Sequence, residues 1–387
     1  MNKKKIAIVG ASDFQNPLIL KAKDMGLETH VFAWEDGSIG EKTADFFHPI
    51  SITEIDEIAD ACHEIGVSGI CSIGTDLGNI TVSKVAEKLG LCANSVDCVT
   101  RSTNKHLMRE TFFANGDPSP WSIQVSDVSD LKGRNLHYPI IVKPVDRSGS
   151  RAITRLSNPE GLAEAVNSAI GVSFAKAAVV EEFFDGTEYS VEFVSWKGDH
   201  HFLALTRKFT TGAPKFIETG HIEPAVVSDK LLDRVKAVVA HALDGLGVEY
   251  GASHSEILIN EAGDIRIVEI GSRMGGDCIG SDLVELSTGV DFLKAVVDVS
   301  LGVKPSLEPK PHPGNAMIRF LFGEDDFDAL ERERREFGGV IEKVSITGSV
   351  PHEIVDSGSR YGFFILSSGN RDELIPYLPV GGPVEQE

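Results

Sequence analysis

Ser253-His254-Ser255-Glu256-Ile257-Leu258-Ile259-Asn260 and Ile265-Arg266-Ile267-Val268-Glu269-Ile270-Gly271-Ser272-Arg273-Met274-Gly275-Gly276 form two halves of one signal. Both contain apolar strand runs, at Ile257–Ile259 and Ile265–Ile270, and Glu261–Asp264 between them reads as a four-residue hairpin loop. That register pairs Asn260 with Ile265, Leu258 with Ile267 and Glu256 with Glu269. Two carboxylates directly opposed lie ~5 Å apart and destabilise a sheet unless something neutralises them. Leu258 and Ile267 as neighbours argue against a solvated face. A hard divalent cation, Mg²⁺ with Mn²⁺ as a substitute, is the economical answer. A frayed exposed pair, or a register one residue off, is the competing reading. Arg273, four residues beyond Glu269, returns to the carboxylate face of an extended chain. There it either stabilises charge on a transferring phosphoryl group or forms a plain salt bridge. Gly275 and Gly276 leave backbone N–H groups open to an anion.

Upstream, Lys5–Gly10 reads as a buried strand entering a glycine turn, residues 16–26 as a helix and 29–34 as a second strand. Helices at 53–65 and 79–90 flank a strand at 67–73, a strand–helix alternation typical of a parallel, doubly wound sheet. The turn Gly10-Ala11-Ser12-Asp13-Phe14-Gln15 lacks the later glycines of a dinucleotide fingerprint, so a structural Rossmann-like lobe is expected there. From residue 100 the alternation breaks down into α+β grammar. A helix at 103–115, strands at 139–144, 178–183 and 187–196, and helices at 159–170 and 229–245 are expected. A further helix at 291–301 precedes a stiff stretch containing Pro305, Pro309, Pro311 and Pro313. The tail after 314 reads as a small β-rich unit with strands at 316–322, 340–344 and 361–367.

Lys143 closes an apolar strand and precedes Ser148-Gly149-Ser150, which suits phosphate: a point charge beside exposed backbone donors. Arg147, Arg151 and Arg155 extend this into a basic patch, unless the loop is simply solvated. Among the 387 residues, 37 Lys+Arg face 58 Asp+Glu, a formal net charge of −21, so an anionic ligand needs such a compact basic pocket. The same charge disfavours nucleic acid. The five cysteines include no C-x-x-C pair and fit a reducing compartment. No apolar run reaches the ~18 residues of a membrane helix. A cytoplasmic location is expected, with small-molecule partners and no membrane. There is no Walker A motif.

Together these segments resemble the ATP-grasp superfamily. The resemblance spans roughly residues 1–302 and implies an α/β and α+β fold. Its parts would be a Rossmann-like pre-ATP-grasp domain (1–98), a two-lobed ATP-grasp domain (99–302) and a C-terminal unit (303–387). It implies Lys105 and Lys143 as nucleotide lysines, with Ser148 and Ser150 in the phosphate loop. Glu181-Glu182-Phe183-Phe184 would be the adenine hinge, Glu188 the ribose acid, and Glu256 and Glu269 the metal carboxylates. Gly271 stands where many members carry Asn. Within the superfamily the chain is most similar to the bacterial L-amino acid ligases of the bacilysin-synthetase type. The matching residues are Glu218-Thr219-Gly220-His221-Ile222-Glu223-Pro224-Ala225, His254-Ser255-Glu256 and Glu269–Gly276. This similarity implies that Glu218 holds a substrate ammonium and that His221 and His254 line the pocket. Arg273, Gly275 and Gly276 would meet the reacting carboxylate. Asp277 replaces a bulky aromatic.

The residues give Glu218 a reading of their own: few basic partners lie near it after Lys215, so a substrate ammonium is an available counter-charge, and a Glu218–Lys215 surface pair is the alternative. The expected activity is ATP-dependent carboxylate–amine ligation through an acyl phosphate, on amino acids, in a chain compatible with a homodimer. The alternatives are a bicarbonate-phosphorylating enzyme of the carbamoyl-phosphate synthase or biotin carboxylase kind, and a non-catalytic nucleotide-binding module.

Overall fold

The computed structural model describes residues 3–213, 215–346 and 353–379. The apolar run at the start forms β1 (Lys5–Val9), buried from Ile6 onward. It is followed by α1 (Asn16–Asp24), β2 (Glu28–Phe32), α2 (Ile39–Thr43), β3 (Phe46–His48), α3 (Ile55–Ile65), β4 (Ile70–Cys71) and α4 (Asp76–Leu89). The four strands lie in the order β3-β2-β1-β4, all parallel. Gln15 fills the turn after β1: its Nε2 donates to the Ile73 carbonyl at 2.8 Å and its Oε1 accepts from the Ser12 N–H.

The expected helix at 103–115 is α6 (Lys105–Asn115), and a helix the sequence did not suggest, α5 (Val96–Thr103), precedes it. Asn104 separates them, because its carboxamide oxygen accepts from the His106 and Leu107 N–H groups as an N-cap. This fixes Lys105 as the first residue of α6, with Arg109 one turn later on the same face. The second sheet comprises β5 (Ser122–Val125), β6 (Ile140–Pro144), β7 (Thr154–Leu156) and β8 (Ala178–Glu182), in the order β5-β8-β6-β7, covered by α7 (Leu162–Val172). Strand alternation decides its two faces. Ile140, Val142, Ala178 and Val180 join the core under α7, while Ile141, Lys143 and Glu181 face the opposite way.

The third sheet has eight strands. It begins with β9 (Thr187–Trp196), β10 (Asp199–Thr210) and β11 (Glu218–Glu223), then α8 (Asp229–Leu246), β12 (Tyr250–Ile259) and β13 (Ile265–Gly271). After α9 (Val284–Thr288) and α10 (Phe292–Ser300) come β14 (Asn315–Phe320), α11 (Glu324–Glu336), β15 (Val340–Ile346) and β16 (Gly362–Ser368). The order is β13-β12-β9-β10-β11-β14-β16-β15, so the tail strands extend this sheet. Val235, Val239, Leu243 and Leu246 of α8 pack with Val191, Leu205, Ile257 and Ile267 on one face, leaving the other for the cleft.

The hairpin register differs from the expected one at its tip. Ile259, not Asn260, pairs with Ile265, and Ile257, not Leu258, pairs with Ile267. Asn260 instead closes a three-residue loop with Asp264, in which Gly263 takes φ +79°. Ile267 therefore lies in the α8 core rather than beside Leu258. An irregularity between Glu256 and Ile257 absorbs one residue at Val268 and restores Glu256 opposite Glu269. Among the described residues no helix is long and apolar enough to cross a membrane, and all five cysteines are free.

Candidate active site

The lobe carrying Lys143 and the open face of the large sheet enclose a cleft of about 590 Å³, within the usual size for a small-molecule site. Lys105, Lys143, Ser148, Ser150, the stretch Glu181–Phe184, Glu188, Glu218, His221, His254, Glu256, Glu269, Arg273 and Gly276 all border it. Gly275 does not. A Cβ there would stand 2.6 Å from the His254 ring, so Gly275 makes room beneath that imidazole instead of facing the cleft.

At one end, cations gather. Lys105 Nζ lies 3.1 Å from Glu269 and donates to the Arg147 carbonyl at 2.8 Å. Lys143 Nζ lies 2.7 Å from Glu181, and Arg109 Nε 2.8 Å from the other oxygen of the same carboxylate. Burial works to raise the Glu181 pKa, but Arg109 and Lys143 outweigh it and bring it down to about 2. The Glu181 carboxylate thus serves Lys143 and Arg109 and is not offered to a base. Beside it, the Glu182 and Phe183 N–H groups donate to the Trp121 and Pro139 carbonyls. Guanidinium groups cover the two aromatic rings of this stretch, Arg155 over Phe183 at 4.4 Å and Arg266 over Phe184 at 4.9 Å.

The expected basic patch is thereby dispersed. Arg155 is on Phe183, Arg147 stacks on Phe174, Arg151 reaches Asp356, and of the three only Arg147 borders the cleft with Lys143. The loop itself turns through positive φ at Gly149 (+74°) and Ser150 (+56°), and Ser150 Oγ donates to the Phe216 carbonyl at 3.0 Å.

At the other end, carboxylates dominate. Neighbouring strands β12, β9, β10 and β11 bring Glu256, Glu188, Lys208 and Glu218 together. Lys208 Nζ is 2.6 Å from Glu256, 2.7 Å from Glu188 and 3.7 Å from Glu218. Burial opposes its charge, yet the three carboxylates hold its pKa well above the usual lysine range. Burial raises the Glu188 pKa, and Glu256 and Glu218 add to the rise against the pull of Lys208. Glu256 is held well below the carboxylate range, since Lys208 and His254 overcome its burial.

Lys208 escaped the sequence reading entirely. Its partners sit on three other strands, and β10 itself was missed because Arg207-Lys208 interrupts its apolar run. Arg109 carried a usable signal, its position one helical turn from Lys105. Glu218 differs from expectation: Lys215 pairs with Glu353 at 3.2 Å, while Glu218 takes Lys208 and, at 2.5 Å, the Ser357 hydroxyl.

The remaining residues shape the walls. His254 Nδ1 is 2.5 Å from the fully buried Glu192, with Glu256 3.6 Å from Nε2. Burial would lower the His254 pKa, but these carboxylates push it up to about 9. His221 is fully buried, its closest acid Asp277 at 3.7 Å, and desolvation lowers its pKa. Asp277 is itself gripped by both Arg360 nitrogens, at 3.0 and 2.6 Å. Arg273 Nε lies 2.7 Å from Asp76 at the start of α4, which ties the first lobe to the cleft. A Cβ on Gly271 would stand 3.3 Å from the Arg273 guanidinium carbon, so glycine there leaves that guanidinium its place.

Among the described residues no three His, Cys, Asp or Glu side chains are grouped to hold a metal. Glu256 and Glu269 are nevertheless opposed on the cleft side of one hairpin. A hard-oxygen pair of this kind fits Mg²⁺ completed by phosphate oxygens and water.

Residues 136–281 match a family described as an ATP-grasp domain. The chain is 25% identical over 312 residues to an alanine–anticapsin ligase of Bacillus subtilis, an alignment covering 71% of this chain and 65% of that protein. It is 30% identical over 155 residues to human carnosine synthase 1, covering 40% of this chain and 18% of that protein. An L-amino acid ligase from Bacillus licheniformis has the same fold, with TM-score 0.84, 21% identity, and coverage of 97% of this chain and 96% of that one. The chain spans just under two thirds of the length of the alanine–anticapsin ligases it matches.

Proposed function

We propose that this chain, which belongs to the ATP-grasp superfamily, is an ATP-dependent ligase that joins the carboxylate of one amino acid to the amine of another. The observation that carries the reading is the division of charge along the cleft. Among the described residues, Lys105, Lys143 and Arg109 pair with Glu181 and Glu269 at one end, whereas Glu188, Glu218 and Glu256 share Lys208 at the other, with His254 reaching only Glu256 of the three. An anion is favoured at the first end and a cation at the second, as a nucleotide and an α-amino acid require.

In this reading Lys105 and Lys143 hold ATP phosphates as point charges. Glu181 and Arg109 keep Lys143 in place. Glu182, Phe183 and Phe184 edge the adenine position, and Glu188 accepts from the ribose hydroxyls. Glu256 and Glu269 would hold Mg²⁺, which when bound supplies charge neutralisation to the phosphates. Glu218 accepts a substrate ammonium, displacing part of its interaction with Lys208. Arg273 and the Gly276 backbone face the carboxylate end, fixing the amino acid at two points. The substrate carboxylate attacks the γ-phosphorus, ADP departs, and an acyl phosphate forms. The second amino acid's nitrogen, as the free amine, attacks that carbonyl, phosphate leaves, and the nitrogen gives up a proton as the amide forms. Arg273 stabilises the negative charge that builds on the transferring group. Asp76 keeps its guanidinium aimed.

The test is phosphate release over pairs of amino acids, with bicarbonate alone as the control. Release that requires two amino acids and yields a dipeptide supports the reading. ADP formation with bicarbonate and no amino acid overturns it.

A further inference from the structure

Segment 353–360 lies beyond the matched domain, between β15 and β16, yet it reaches the amino-acid end of the cleft. Three of its contacts converge there. Ser357 Oγ donates to Glu218 Oε2 at 2.5 Å, the Arg360 guanidinium donates to the Glu218 carbonyl at 3.3 Å, and it grips the Asp277 carboxylate with two nitrogens. Arg360 is buried, with its guanidinium carbon 3.6 Å from the centre of the Phe320 ring, so its fork is fixed from behind by β14. Lys215 fastens the start of the segment, to Glu353 and to the Ile354 carbonyl.

We propose that Ser357 and Arg360 are positioning residues for the ammonium site. The proposal rests on the assignment of Glu218 to a substrate ammonium. A carboxylate 3.7 Å from Lys208 is drawn toward that cation and away from a ligand. The Ser357 hydroxyl holds Oε2, which fixes the rotation of the group and leaves the other oxygen's remaining lone pairs for an incoming N–H. Arg360 acts on the same residue through its backbone. By occupying Asp277 it also removes a competing carboxylate that would otherwise offer the ammonium a second, displaced position. The C-terminal unit thereby completes the pocket.

Calorimetry on the full chain, with Mg²⁺ and ADP present, tests this. The probes are the common amino acids and their N-acetyl derivatives, and the proteins are the native chain, Ser357→Ala, Ser357→Thr, Arg360→Lys and Glu218→Ala. Ser357→Ala is expected to weaken the tightest-binding free amino acid roughly tenfold, the scale of one charge-assisted hydrogen bond. Its ADP affinity and melting temperature should stay unchanged, and Ser357→Thr should restore binding. Arg360→Lys keeps the charge but loses the fork, and is expected to narrow the preference for free over N-acetylated ligand. Native affinity in Ser357→Ala while Glu218→Ala is impaired overturns this inference alone. Native affinity in Glu218→Ala, or no amino acid bound by the native chain, overturns the ammonium site and the inference with it.

Discussion

The two ends of the cleft are built from the same residue types with opposite balance. At the basic end the acids are outnumbered: Glu181 has both Arg109 and Lys143 while Glu269 takes Lys105, and the Glu181 pKa falls to about 2 although it is buried. At the acidic end Lys208 is outnumbered by carboxylates, and the pKa of Glu188 rises while that of Lys208 climbs. The lysines are buried at both ends, although Glu181 is more deeply buried than Glu188, Glu218 and Glu256. Their stoichiometry is opposite, and stoichiometry decides which sign of ligand each end can take without leaving a buried charge unpaired.

Removing the minority charge at the acidic end is the severest way to disturb this arrangement. Lys208→Met leaves three carboxylates facing one another, and loss of one partner from a buried ion cluster costs roughly 3–5 kcal/mol. Urea denaturation should show that loss, and an unchanged midpoint would mean that Lys208 does not bind the cluster together. Next in size, Glu256→Gln or Glu269→Gln should cut ADP formation a hundredfold or more, about the loss seen when one electrostatic stabiliser is removed. Circular dichroism should stay native, and full turnover in either variant would detach the hairpin from the chemistry. Lys143→Met and Lys105→Met sharpen the contrast at the basic end. Each should weaken ATP by roughly one to two decades, the value of a hydrogen bond to a charged group, read by calorimetry. Amino-acid affinity should hardly move.

The smallest effect across neutral pH concerns His254. Its folded pKa of about 9 lies above the ordinary histidine value, so the link to Glu192 and Glu256 contributes fully below about pH 6.5. That contribution is lost as pH rises through about 9. Melting temperature should therefore fall toward alkaline pH more in the native chain than in His254→Gln, and parallel curves would contradict it.

The sequence disclosed these ends unequally. The basic end was legible because Lys143 closes an apolar strand, a local signal, while Lys105 came only through the family resemblance. The opposed carboxylates were found through a register wrong at Ile257 and Leu258, and the irregularity at Val268 restored the pairing. Alternation carries no mark of such an extra residue. At the acidic end Glu188, Glu218 and Glu256 were named, but their meeting at Lys208 was hidden, because the cluster is assembled across four strands, two of which, β10 and β11, carry charged residues that break the apolar pattern. In α11, Glu324–Glu336, ten of the thirteen residues are acidic or basic and few apolar ones pack, Ala329 and Leu330 among them, so the helix left little periodic trace. Segment 353–360 acts at a distance that no spacing reveals.

The division of charge is tested most directly by one paired measurement: calorimetric titration of ADP and of a free amino acid into Lys143→Met and Glu218→Gln. Lys143→Met should lose ADP and keep the amino acid, while Glu218→Gln should do the reverse. Equal weakening of both ligands in both variants would contradict a cleft divided into an anion end and a cation end.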